Sequence, residues 1–193
     1  MTTKSTKLQL HVLSCKQCIS CSYHETKLNT VVCRGTFPCD VLFVGEAPGK
    51  HEDLRGVPFI GPAGRLLQDL INQSFPKTVT YGFTNLICCL PVDPSTGEKA
   101  VTPDKKSIKA CSPNLDRLVR LSSPRMIVCV GSLAEKYVPL LPAVKERSIP
   151  LTSIIHPAAI LRSRPIEQSL LIRKTLVNLV DGLVSVNLIN SRG

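Results

Sequence analysis

Apolar residues along the chain gather into short dense runs, separated by polar stretches rich in proline and glycine. The run Val41 to Val44 stops abruptly at Gly45-Glu46-Ala47-Pro48-Gly49. Consecutive apolar positions over so short a span suit a strand buried on both faces of a parallel sheet. Comparable runs near residues 79–87, 125–131 and 150–155 predict three more strands. Between them the period lengthens. Gly64 to Ile71 reads as a helix, Lys105 to Leu121 places Ile108, Cys111, Leu115 and Leu118 at helical spacing, and Ser132 opens a short helix. Ile166 to roughly Val186 carries Leu170, Leu171, Val177, Val180 and Val184, the pattern of an amphipathic packing helix.

Strands alternating with helices predict an α/β fold, a three-layer α/β/α arrangement around a central four-stranded parallel sheet. The length predicts a single domain over residues 1–193 with one core. In open sheets of this kind ligands sit beyond the carboxyl ends of the strands. That rule picks out the glycine-rich loop from Gly45 to Phe59, Asn85 at the end of the second strand and His156 after the last. The loop also carries Glu46, His51, Glu52 and Asp53, so titratable groups lie where a ligand would.

Composition sharpens this reading. A net charge of +10 suits a polyanionic partner such as nucleic acid. With five Phe, three Tyr and no Trp, phosphate contacts are favoured over a broad aromatic stacking platform. No apolar run approaches the ~18 residues of a membrane span, and the amino terminus lacks the pattern of a secretory signal. A soluble, cytoplasmic, nucleoid-associated protein is expected, with no membrane partner. Nine cysteines in such a reducing compartment point to metal or cluster ligation before disulfides.

Cys15, Cys18 and Cys21 form C-x2-C-x2-C, a spacing in which neighbouring thiolates face one centre; zinc, an iron–sulfur cluster and a redox pair all remain open. Cys88 and Cys89 close the second apolar run, and Cys111 lies in the helix that follows. Cys129, inside MIVCV, reads as a small buried hydrophobe. Cys33 and Cys39 suggest no role. The glycine loop is neither G-x-G-x-x-G nor a P-loop.

Its whole string, GEAPG–ED–G-PF-G-AG-LL, closely resembles the first motif of the family 4 uracil-DNA glycosylases, the iron–sulfur type. FTNLICC resembles that family's second strand end, PRMIVCVGSLA a later strand, and His156-Pro157 through Leu161-Arg162 its third motif. The resemblance runs from about Cys15 to Arg162. It implies a monomeric enzyme that flips uracil out of single- or double-stranded DNA and hydrolyses its glycosidic bond. It implies catalytic roles for Glu52 and His156, and base recognition by Phe59 and Asn85 in a pocket lined by Gly45, Glu46 and Ala47. Glu46 itself is expected to brace the loop. Ile160, Leu161, Arg162 and Arg164 are expected on DNA, the apolar pair as a wedge and the arginines on phosphates.

The resemblance further implies a 4Fe-4S cluster on Cys15, Cys18, Cys89 and Cys111, tying the cysteine segment 15–39 to the core. Zinc is the chemical competitor, and Cys21 and Cys88 are adjacent spares. Where the family continues Arg-Pro-Pro-x-Asn-Arg after its third cysteine, this chain reads Leu90-Pro91-Val92-Asp93-Pro94-Ser95, with an apparent insertion at STGEKAVT. That departure keeps a second expectation open: a glycosylase-fold protein that binds DNA or a replication partner without excising uracil.

Overall fold

The computed structural model describes residues 3–93 and 95–190. Its five strands are β1 (Arg34–Gly35), β2 (Val41–Gly45), β3 (Tyr81–Asn85), β4 (Met126–Val130) and β5 (Leu151–Ile154). They form one sheet in the order β1-β3-β2-β4-β5. β2 to β5 are the four expected strands, and all their pairings are parallel. β1 is an addition, a two-residue antiparallel edge that sets Arg34 against Phe83 and Gly35 against Gly82. Two residues carry no measurable period, so no hydrophobic pattern announces such a strand.

Eight α-helices accompany the sheet among the described residues: α1 (Lys4–Lys16), α2 (Lys50–Arg55), α3 (Pro62–Ser74), α4 (Lys105–Ser122), α5 (Ser132–Tyr137), α6 (Pro142–Glu146), α7 (Pro157–Arg162) and α8 (Pro165–Ser185). Strand side chains alternate between the two faces. Leu42, Val44, Ile127 and Cys129 pack against Leu115 and Val119 of α4, Ala134 of α5 and Ala143 and Val144 of α6. Val41, Phe43, Phe83, Val128 and Val130 pack against Leu67, Leu70 and Ile71 of α3 and Leu179 and Leu183 of α8. The three layers follow directly. Cys129 lies in the first of these cores as a buried apolar residue.

α1 was not signalled by periodicity, because its buried positions are His11 and Cys15 while Leu10 and Leu13 stay exposed. Thr3 caps it, its hydroxyl accepting from the Thr6 N–H. α8 exists as expected, but the packing face differs. Ile172, Leu176, Leu179 and Leu183 meet the core, whereas Leu170 and Val177 face outward. The helix is apolar on more than one side, so its period does not select a face.

Candidate active site

β2 and β3 run parallel and in register, so that Gly45 pairs with Asn85. Both therefore end at the same edge of the sheet, beside the ends of β4 and β5. Above that edge opens a cavity of about 690 Å³. Glu46, Glu52, Phe59, Asn85, His156 and Arg162 line it. Residues more than a hundred positions apart in sequence are thus gathered by topology alone.

Phe59 forms one wall. Its ring lies 5.5 Å from that of Phe83, and its backbone sits at φ 56°, a left-handed conformation that non-glycine residues rarely adopt. Gly64 makes that turn possible, since a Cβ there would lie 2.0 Å from the Phe59 carbonyl oxygen. Gly45 does not line the cavity; it is the floor beneath it. A Cβ at Gly45 would stand 2.5 Å from both Asn85 Oδ1 and the Phe59 ring. The absence of a side chain there lets amide and ring approach each other. Asn85 is only 4% exposed, and among the described residues no side-chain hydrogen bond occupies its amide. One acceptor and two donors are consequently held at the cavity wall, ready for a ligand.

The two glutamates divide their work differently from the expectation. Glu52 braces the loop: its Oε1 accepts from the Ile60 and Gly61 N–H groups at 3.0 and 2.7 Å, and its Oε2 from the Gly49 N–H at 3.2 Å. The last bond is the capping box of α2, which ends at Gly56 in the left-handed region. Glu52 still lines the cavity, with Oε2 the less engaged oxygen. Glu46, expected to brace the loop, is instead a half-buried carboxyl facing the cavity, and burial pushes its pKa above the ordinary value. Asp53 is fully internal, accepting the Leu28 and Asn29 N–H groups and so fastening α2 to the cysteine-rich segment.

His156 caps α7. The Ala158 N–H donates to its Nδ1 at 3.2 Å, so Nδ1 is unprotonated and the ring proton resides on Nε2. Burial, and to a lesser degree the nearby Arg162 charge, lowers its pKa, which keeps the imidazole neutral. Along α7 the expected DNA contacts separate. Leu161 is 45% exposed and Arg162 is exposed, both on the cavity rim. Ile160 is 1% exposed, its side chain turned into the fold, so the expected wedge role falls away for it. Arg164 lies off the cavity at the start of α8, paired with Glu167.

The segment that departs from the family motif folds into a small hairpin. Val92 bridges to Lys99, and the Ala100 N–H donates to the Pro91 carbonyl. Asp93 is consumed in the turn, where Oδ1 accepts from Ser95 N–H and hydroxyl and from Thr96 N–H. Pro91, Ala100, Val101 and Thr102 add an apolar side to the cavity mouth.

Behind the loop lies a second, small cavity of about 20 Å³. Cys15, Cys18, Cys21, Cys88, Cys89 and Cys111 all line it. The neighbouring Cys111 and Cys15 thiols, together with burial, push the Cys88 pKa well above its ordinary value. The neighbouring Cys88 thiol, with His11 3.6 Å away, holds Cys15 down to about 5 against the effect of burial. Burial pushes Cys89 up to about 12. The two cysteines set aside as spares, Cys21 and Cys88, therefore share the cavity with the four expected ligands. Among the described residues no three His, Cys, Asp or Glu side chains surround a single point closely enough to hold one ion. Six soft donors from three segments do fit the chemistry of an iron–sulfur centre. Ala47 packs against this region, so pocket and thiols share a wall.

Comparison with known proteins agrees with this architecture. The family model described as the uracil DNA glycosylase superfamily matches residues 34–179. A type-4 uracil-DNA glycosylase from Sulfurisphaera tokodaii is 36% identical over 133 residues, 68% of this chain and 56% of that one. The corresponding protein from Archaeoglobus fulgidus is 33% identical over 127 residues, 66% and 59% of the two chains. The chain thus spans a little over half the length of these curated relatives. Among solved structures, Pedobacter heparinus SMUG2 superposes with a TM-score of 0.56 at 15% identity, covering 78% of this chain and 77% of that one. A putative uracil DNA glycosylase from Methanosarcina acetivorans gives 0.53 at 13%, covering 80% and 98%. At such identities these likenesses concern the fold alone. No described helix is long and apolar enough to cross a membrane.

Proposed function

The chain belongs to the uracil-DNA glycosylase superfamily, and from that premise we propose that it excises uracil from DNA, leaving an abasic site. One observation carries the reading: Phe59 from the loop between α2 and α3, Asn85 at the end of β3 and His156 after β5 face one cavity of about 690 Å³. A base flipped from the stack, at a cost of a few kcal/mol, would enter there. Phe59 stacks on its face. The Asn85 amide pairs with its polar edge. The neutral His156 donates from Nε2 to the uracil oxygen on which charge builds as the glycosidic bond breaks, in the manner of an oxyanion hole. The electron pair of that bond leaves with uracil, and water adds to the sugar cation.

Two carboxylates are available for the water and the cation. Glu52 retains Oε2 for this purpose, and Glu46 brings a second oxygen pair into the same space. Arg162 holds backbone phosphate, and Leu161 fills the gap left in the stack. DNA is the partner, bound as a monomer.

A 4Fe-4S cluster on Cys15, Cys18, Cys89 and Cys111 would cross-link the amino-terminal segment, the end of β3 and α4. A hydrolysis needs no electrons from it, so it would serve as a structural tie.

The test is anaerobic single-turnover excision on a uracil-containing oligonucleotide, read by alkaline strand cleavage, with Glu52→Ala alongside. Excision by the wild-type protein that collapses in the variant supports the reading. Binding without excision would replace it with the non-catalytic alternative, which the hairpin at 91–100 favours because it removes the family's polar loop.

A further inference from the structure

The most unusual polar residue near the cavity does not touch it. Arg34 occupies the edge strand β1, opposite Phe83. Its guanidinium carbon lies over the Phe83 ring, 3.9 Å from the centroid. Nε donates to the Pro58 carbonyl at 2.7 Å and Nη2 to the Phe59 carbonyl at 3.2 Å. Among the described residues no carboxylate pairs with it. A half-buried cation balanced only by two carbonyls and a ring face is costly to keep, unless holding those groups has a use.

What it holds is the Phe59 turn. Phe59 stands in the left-handed region, and its carbonyl is confined on one side by Gly64 and on the other by Arg34. The Phe83 ring, covered by the guanidinium, also lies beside the Phe59 ring. We propose that Arg34 is a positioning residue: it clamps the Pro58–Phe59 backbone from outside so that the Phe59 ring is presented, already in place, to the flipped base. The proposal deepens the glycosylase reading and rests on it for the identity of what Phe59 stacks against. A fork of donors is required, because a lysine reaches one carbonyl as a point charge and cannot lie over a ring in the same way.

The experiment compares Arg34→Lys and Arg34→Met with the wild type on three readouts. The first is the single-turnover rate on uracil-containing DNA, where the methionine variant is expected to lose about 100-fold and the lysine variant less, as for a misplaced group near a reacting centre. The second is affinity for uracil-free DNA, expected to stay within about twofold because the donors that define Arg34's geometry point inward. A matching loss of affinity would instead make Arg34 a phosphate contact and overturn the proposal, as would an unchanged rate. The third is independent of activity: 4-fluorophenylalanine labelling, with the Phe59 ¹⁹F line identified by Phe59→Leu. That line is expected to broaden or shift in Arg34→Met while the Phe43 line, deep in the core, keeps its position and reports an intact fold. An unmoved Phe59 line sinks the clamp. If the wild type excises nothing, the glycosylase reading fails, while the fluorine lines still decide whether Arg34 orders Phe59.

Discussion

The strand-end pocket and the thiol cavity share a wall yet are built on opposite plans. The pocket is wide, and the three groups set to meet a base come one from each segment: an amide at Asn85, an imidazole at His156, a ring at Phe59. Their places follow from the register of β2 on β3 and from the loops that leave β4 and β5. The thiol cavity is narrow and over-supplied, with six cysteines where four ligands suffice. Its members come from α1 and the turn that follows it, from the segment after β3 and from α4, so their approach depends on how these pieces dock. A site that must match a transition state tolerates little redundancy, whereas a cross-link only needs enough donors.

The largest expected effect tests the first half of that contrast. His156→Ala removes the imidazole that follows β5, and single-turnover excision is expected to fall about 100- to 1,000-fold, the usual cost of one lost oxyanion donor. A loss under tenfold would mean that another group can replace it.

Redundancy in the thiols is tested next by metal content. Cys111→Ser, which removes the one expected ligand from α4, is expected to lower iron and sulfide per chain at least about tenfold, no less than substitutions beyond a metal's ligands do. Cys21→Ser and Cys129→Ser should both load normally, the first because neighbours remain, the second because it lies in another core. Loss of the cluster in Cys21→Ser would reassign the ligand set.

The pH dependence separates the two carboxylates. Burial raises the Glu46 pKa, so in the folded protein it takes up a proton above the ordinary value of 4.5. A protonated Glu46 stabilises the fold as pH falls, but it cannot assist as an anion. The excision rate is expected to drop about tenfold per pH unit below that raised pKa, and Glu46→Gln should flatten the limb. His156, whose pKa is lowered, should add no inflection near 6.5. A limb that persists in Glu46→Gln and vanishes in Glu52→Gln would return the role to Glu52.

The smallest effect concerns neighbours on α7. Leu161→Ala should weaken binding to uracil-containing duplex by a few-fold, roughly 1 kcal/mol for one exposed wedge, without lowering Tm. Ile160→Ala should do the reverse, costing about 2–5 kcal/mol of stability through a cavity in the core. A thermal melt beside a binding titration distinguishes them.

Much of this molecule was legible in the order of its residues. Runs such as Val41 to Val44 announce buried parallel strands because both faces must be apolar, and the strand order then places Gly45, Asn85 and His156 at one edge. The motif strings add the family, and with it Phe59 and the cysteines. Periodicity could not choose the packing face of α8, which is apolar on several sides, nor find β1, whose two residues have no period. Contacts between distant backbone and side chains decided the rest. Glu52 became the brace because Ile60 and Gly61 direct their N–H groups at it, and Ile160 turned inward while Leu161 stayed out. Arg34 reached Pro58 and Phe59 only because an edge strand pairs with β3. Such choices depend on which groups meet across the fold, and a linear pattern carries spacing along the chain but not distance through it.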